Sequence, residues 1–113
     1  MTYDAELNKS LSALGVPVEP ILDTSVDHEY IAYYYESKGT LFGDDGPCME
    51  YRSWTVVYLA PVGYNRLAMR QNIRQVIFDL FEVWPTEDDA SDASGQRWIY
   101  EFETIGGLDC GEV

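Results

Sequence analysis

Positive charge is what this sequence has least of. Seven lysines and arginines stand against 20 aspartates and glutamates, so the 113-residue chain carries a formal net charge of −13. A chain so short of cations has little with which to displace counterions from a phosphate backbone. It is equally ill-suited to an anionic membrane surface. Histidine occurs once, as His28 after Asp27. The Asp–His pair is half of a catalytic relay, but neither a nucleophile elbow nor a second imidazole accompanies it, and a surface histidine at a strand start is the preferred reading. Two cysteines, Cys48 and Cys110, are too few for a disulfide scaffold and lack metal-ligand spacing, which points to two free thiols in a cytoplasmic setting. No apolar run is long enough for a signal core or a membrane span, and the first residues, Met1 to Glu6, are acidic rather than basic. Gly-rich phosphate loops and Cys/His clusters are missing as well.

Acidic runs invite a calcium reading at Asp44-Asp45-Gly46 and at Glu87 to Asp92. Neither has alternate acidic ligands around a central glycine with a closing glutamate, so both are read as solvated loops. No cofactor, metal or catalytic residue is expected, and the chain is read as non-enzymatic.

What the sequence does have is aromatic residues: 9 Tyr, 3 Trp and 4 Phe. Such rings concentrate in cores and in protein–protein contacts. The length suits one domain spanning residues 1–113. Asp4 to Leu14 reads as a helix with Leu7, Leu11 and Leu14 on one stripe and Gly15 as its terminator. Pro17 and Pro20 make Val16 to Ile21 an extended connector or edge strand. His28 to Lys38 reads as a strand with Tyr30, Ala32 and Tyr34 on one face and Ile31, Tyr33 and Tyr35 on the other, both faces apolar or aromatic. Gly39 to Cys48 reads as a loop carrying exposed Leu41 and Phe42. Met49 to Ala60 is a second strand, with Trp54, Val56 and Tyr58 opposite Thr55, Val57 and Leu59.

Asn65 is a candidate N-cap for an amphipathic helix from Arg66 to Val83, whose core face is Met69, Ile73, Val76, Ile77 and Leu80. Trp84-Pro85 ends it. Thr86 to Gly95 reads as an exposed, mobile acidic loop, Gln96 to Ile105 as the last strand, and residues 105–113 as a flexible tail. The expected fold class is α+β, an antiparallel or mixed sheet of about four strands with two helices packed on one face.

The charge layout of the long helix stands apart. Arg66, Arg70 and Arg74 recur every fourth residue. Between Asn65 and Val83 three arginines meet only Asp79 and Glu82, a local charge of +1, so the remainder carries −14. The stripe lies between the core face and a second apolar pair, Leu67 and Phe78. Arginine beside an exposed ring has the composition of a protein–protein hot spot. Pairing with carboxylates of the same subunit is the competing reading.

The middle of the chain resembles the tail-terminator (tail-completion, minor tail) proteins of siphophages. The likeness rests on Glu29-Tyr30-Ile31-Ala32-Tyr33-Tyr34, on Gly39-Thr40-Leu41-Phe42-Gly43-Asp44-Asp45 with Pro47, and on the strand from Trp54 to Leu59. It continues through Ala60-Pro61-Val62-Gly63-Tyr64-Asn65 into the amphipathic helix and closes on Trp98-Ile99-Tyr100-Glu101-Phe102-Glu103. This is a match of pattern and order over roughly Leu14 to Thr104, and neck components share the small α+β architecture.

The resemblance implies a homo-oligomeric ring, usually a hexamer, seated on the last ring of the major tail tube protein. Its other face meets the head-side connector at the head–tail junction of the virion, after assembly in the host cytoplasm. DNA passes through such a lumen without being read. The interface expected from the residues comprises Arg66, Arg70, Arg74, Phe78, Leu41 and Phe42. A head–tail connector (head-completion) protein is the nearest alternative. An acidic DNA-mimic inhibitor of a host enzyme is the remoter one.

Overall fold

A computed structural model describes residues 3–20, 26–43, 46–63 and 67–107, with side chains described in these spans except at residues 3, 4, 37–43, 46–50 and 105–107. The elements in chain order are helix α1 (Tyr3–Ser12), strands β1 (Tyr30–Gly43) and β2 (Gly46–Ala60), helix α2 (Leu67–Phe81), and strands β3 (Thr86–Asp89) and β4 (Gln96–Gly107). The strands form one sheet in the order β1-β2-β4-β3, with every neighbouring pair antiparallel. This is the α+β class expected from the sequence.

The period-two alternation of the central strands sorts the core into two layers. On one face, Ile31, Trp54, Val56, Tyr58, Ala60, Trp98, Tyr100 and Phe102 are buried together with Leu7 and Leu11 of α1 and Met69, Ile73 and Ile77 of α2. Both helices therefore lie on that face. On the reverse, Tyr30, Ala32, Val57 and Leu59 form a smaller cluster with Val26, and Ile99 packs against it. Two-sided burial explains why β1 and β2 are apolar at both parities. Trp54 is completely buried, stacks parallel to Phe102 at 6.1 Å, meets Phe81 at 5.5 Å, and donates its indole N–H to Thr104 Oγ1 at 2.8 Å. The indole thus fills the core without stranding its one polar atom.

Gly15 follows α1 at φ 86°, the left-handed conformation that glycine reaches without a Cβ clash. Val18 then bridges Ile31 in parallel, with Ile31 N–H donating to Pro17 O and Glu19 N–H to Ile31 O, both at 2.9 Å. The connector is thus an edge segment over a single bridge.

Beyond shifts of one or two residues at element ends, three segments differ in kind from the sequence reading. Gly39 to Cys48 is not a loop: β1 continues to Gly43 and β2 starts at Gly46, with Leu41 paired to Met49 and Phe42 to Pro47. Register shifts between Ser37 and Gly39 and between Leu41 and Phe42 allow the ladder to continue through this Gly- and Pro-containing stretch. Thr86 to Gly95 is not a plain exposed loop either. Thr86–Asp89 is β3, and the remainder is a structured turn in which Asp89 Oδ1 accepts from Ser91 N–H at 2.9 Å. Asp92 Oδ1 similarly accepts from Ser94 N–H at 2.8 Å and Arg97 Nη1 at 3.1 Å. Those carboxylates serve as local turn acceptors. Finally, residues 105–107 belong to β4 rather than to a tail. The expected N-cap Asn65 and residues 108–113 lie outside the described residues.

The sheet outruns the helices. The molecule measures 54 × 24 × 21 Å, and a 15-residue strand such as β2 spans about 50 Å. Among described side chains, Trp54 is the last on β2 to be buried on the helix face, while Tyr51 is exposed. Residues 49–53 of β2, with partners in both β1 and β4, extend beyond it as a three-stranded arm, which Gly46 and Pro47 continue paired to β1 alone.

Candidate interaction surface

Helix α2 buries Met69, Ile73 and Ile77. At about 100° per residue this leaves Leu67, Arg70, Gln71, Arg74 and Phe78 on its outer and flanking surface. Arg70 forms a two-pronged contact with Glu87 of β3, Nε to Oε2 at 3.1 Å and Nη2 to Oε1 at 2.7 Å. Arg74 Nη2 reaches the same Oε1 at 3.3 Å. Tyr100, opposite Glu87 in the ladder, donates its hydroxyl to Oε2 at 2.6 Å. Rings flank the guanidiniums: Arg70 lies 4.8 Å from the Trp98 centroid, and Arg74 lies 5.8 Å from Trp84 and 5.9 Å from Tyr100. Such stacking over aromatic faces adds to the ion pairing.

The electrostatics follow from this packing. Hydrogen bonding from Arg70 holds the Glu87 carboxyl below its usual range, against the opposing effect of burial. The same bond raises the Arg70 guanidinium above its usual value. Burial, followed by the bond to Glu87, pushes the Tyr100 phenol well up, so it stays a protonated donor.

Both described arginines of the predicted interface are therefore paired within their own subunit, the alternative the sequence left open. The pairing is incomplete. Two guanidiniums share one carboxylate, leaving one positive charge in excess, and Arg74 Nε has no hydrogen-bond acceptor among the described residues. Arg66 lies outside the described residues. Leu41 and Phe42 sit near the tip of the β1–β2 hairpin, well away in sequence pairing from α2.

Phe78 is 43% exposed and meets Trp84, itself 53% exposed, edge to face at 6.1 Å. Leu67 on the same helix face is 56% exposed. Phe78, Trp84 and the Arg74 stack therefore make an apolar patch with a cationic side, and Leu67 lies about three turns along the same helix face. Trp84 and Glu87 were not singled out as site residues in the sequence. By sequence alone the first is part of a helix stop and the second one solvated acid in a run. Trp84 follows α2 within a few residues of Phe78, and that proximity was the available clue.

The reverse face of the sheet has the opposite character. The ladder registers place Tyr34, Thr55, Glu101 and Thr86 in one cross-strand row, with Glu36, Ser53 and Glu103 in the next and Asp88 beside Ile99. Asp88, Glu101 and Glu103 are exposed, and Tyr34 is 54% exposed. At the foot of the molecule, His28 sits between two carboxylates, Nδ1 to Asp27 Oδ1 at 2.6 Å and Nε2 to Glu19 Oε2 at 2.8 Å. The bond to Asp27 and then that to Glu19 raise its pKa. With both ring nitrogens engaged, this imidazole is held as a surface bridge.

No protein-family model matches this chain, and no curated protein sequence matches it. Among the described residues, no helix is long and apolar enough to cross a membrane.

Proposed function

We propose that this protein is a non-enzymatic structural subunit of a phage virion. In this reading it is a tail-terminator-like protein that closes into a ring on the tail tube, ends tail polymerisation and offers the head-joining surface. The observation that carries the reading is the exposed Phe78–Trp84 pair beside Arg74 on a chain whose net charge is −13. Exposed aromatic rings clustered beside an arginine are typical anchors of protein association. The high net charge keeps the free subunit soluble until a partner surface engages.

The three-stranded arm gives the subunit a long lever that reaches past its own core, suited to contact with a tube or a neighbouring copy. The resemblance to siphophage tail terminators over roughly Leu14 to Thr104 supplies the ring and the tube as the assembly. A head–tail connector uses the same kind of surface and differs in which virion component it seats upon.

The test is mass measurement by light scattering with negative-stain imaging of the purified full chain, with and without purified tail tubes. Closed rings that cap tube ends are expected. Rings that bind only the head-side connector would reassign the protein to the neck. A strictly monomeric protein at high concentration that ignores both would overturn the reading.

A further inference from the structure

We infer that successive copies in the ring are joined head to tail, the Phe78–Trp84–Arg74 patch of one copy resting on the Tyr34–Glu101–Glu103 face of the next. This inference rests on the ring reading above and supplies the surfaces that reading lacks.

The two patches lie on opposite sides of the sheet. Helix α2 packs over Trp54, Val56, Tyr58, Trp98 and Tyr100. Tyr34, Glu101 and Glu103 belong to the rows of the reverse face, in register with Thr55 and Ser53. One copy therefore cannot satisfy its own patches, whereas two copies in the same orientation can.

Charge selects that arrangement. Helix α2 holds two arginines against one acidic residue, Asp79, whose carboxylate accepts from Gln75 at 2.8 Å. Arg70 takes both oxygens of Glu87, so Arg74, which shares one of them at 3.3 Å and stacks on Trp84, is the incompletely paired cation of the patch. The reverse face presents Glu101 and Glu103, about 7 Å apart along one strand, with Asp88 on β3. Its described cation at that parity of β4, Arg97, is already engaged by Asp92 at 3.1 Å. A two-fold pairing of like patches would set carboxylate against carboxylate on one side or guanidinium against guanidinium on the other. A heterologous contact sets opposite charges together and places the Phe78 and Trp84 rings near Tyr34. A heterologous contact also has the symmetry that closes into rings.

The experiment uses two full-length variants, Phe78→Glu and the double change Glu101→Arg/Glu103→Arg, each checked for folding by circular dichroism. Both sites are exposed, so folding should be retained. Should Phe78→Glu fail to fold, Gln71→Glu on the same exposed helix face replaces it. Each variant alone should raise the concentration for half assembly by about tenfold or more. An equimolar mixture should recover rings, because alternating copies then present one native and one charge-swapped contact. Rings from either variant alone at the wild-type concentration would overturn this pairing while leaving the ring reading intact. Folded variants that do not recover on mixing would also overturn it. A wild type that forms no ring, alone or on tubes, would remove the ring reading itself and the inference with it.

Discussion

Glu87 and Tyr100 face each other across the β3–β4 ladder, and the Tyr100 hydroxyl donates to the Glu87 carboxylate at 2.6 Å. Through this pair the shortest strand of the sheet is tied to the long helix, because the same carboxylate receives Arg70 and Arg74. Glu87 is the point at which sheet edge and helix are locked in one relative position.

Replacing Glu87 with Gln keeps the shape and removes the charge that two guanidiniums share. The expected loss is about 1–3 kcal/mol, reduced toward the lower figure because the arginines remain partly exposed to solvent. Urea denaturation of the variant against wild type measures it. The pH dependence has a definite sign. The folded Glu87 pKa lies below its ordinary value of 4.5, so its contribution is present above that value and is lost as pH falls through the lowered folded pKa. In the Gln variant this part of the acid-side decline should vanish.

His28 has the opposite linkage. Its folded pKa is raised above 6.5 by Asp27 and Glu19, so its contribution is complete below 6.5 and disappears as pH rises through the folded value. It is the only histidine in the chain, so its ring resonances titrate without overlap. A midpoint above 6.5 is expected by NMR, and Glu19→Gln should lower it.

Gly95 is a packing requirement. A Cβ there would lie 2.6 Å from Val26 Cγ2, 2.7 Å from Val26 Cβ and 3.2 Å from the carbonyl oxygen of Ala60. Gly95→Ala should cost about 1–3 kcal/mol by overpacking the reverse-face cluster, read as a lowered melting temperature. Val26 is itself buried in that cluster, so it has little room to move aside.

Glu82 ends α2 at φ 57°, with its N–H bonded to Phe78 O at 2.8 Å. A left-handed residue at this position is ordinarily glycine. Glu82→Gly should stabilise the protein by up to about 1 kcal/mol, the relief of the Cβ contact exceeding the added chain entropy. Thermal unfolding checks it, and an unchanged or lower midpoint would count against a strained helix end.

Most of the architecture was legible because it rests on periodicity. Met69, Ile73 and Ile77 repeat at helical spacing, and the parity of Trp54, Val56 and Tyr58 against Val57 and Leu59 separates the two faces of β2 as observed. What was missed rests on pairing across distance. Thr86–Asp89 has the composition of a solvated run, and its strand character arises from lying beside β4 and from Glu87 being claimed by a helix many residues earlier. Gly39 to Gly43 looks like a turn by residue type, yet each backbone position finds a partner in β2. For the surface, spacing located Arg70, Arg74 and Phe78 on one helix but could not reveal that Glu87 already engages the first two. The reverse-face carboxylates are scattered along the chain and become a group only through strand register.

The position of β2 has a consequence for biosynthesis. One neighbour, β1, precedes it directly, but the other pairs Ala60 with Gln96 and Met49 with Gly107, separations of 36 and 58 residues. As the polypeptide leaves the ribosome, the uncharged run Trp54-Thr55-Val56-Val57-Tyr58-Leu59-Ala60 must wait for its far-side companion through the whole of α2 and β3. Such a segment, rich in β-formers and free of proline, is a seed for clumping while it stands open. Polypeptides halted before Gln96 should accumulate as insoluble material, whereas those that reach Gly107 close the sheet over it.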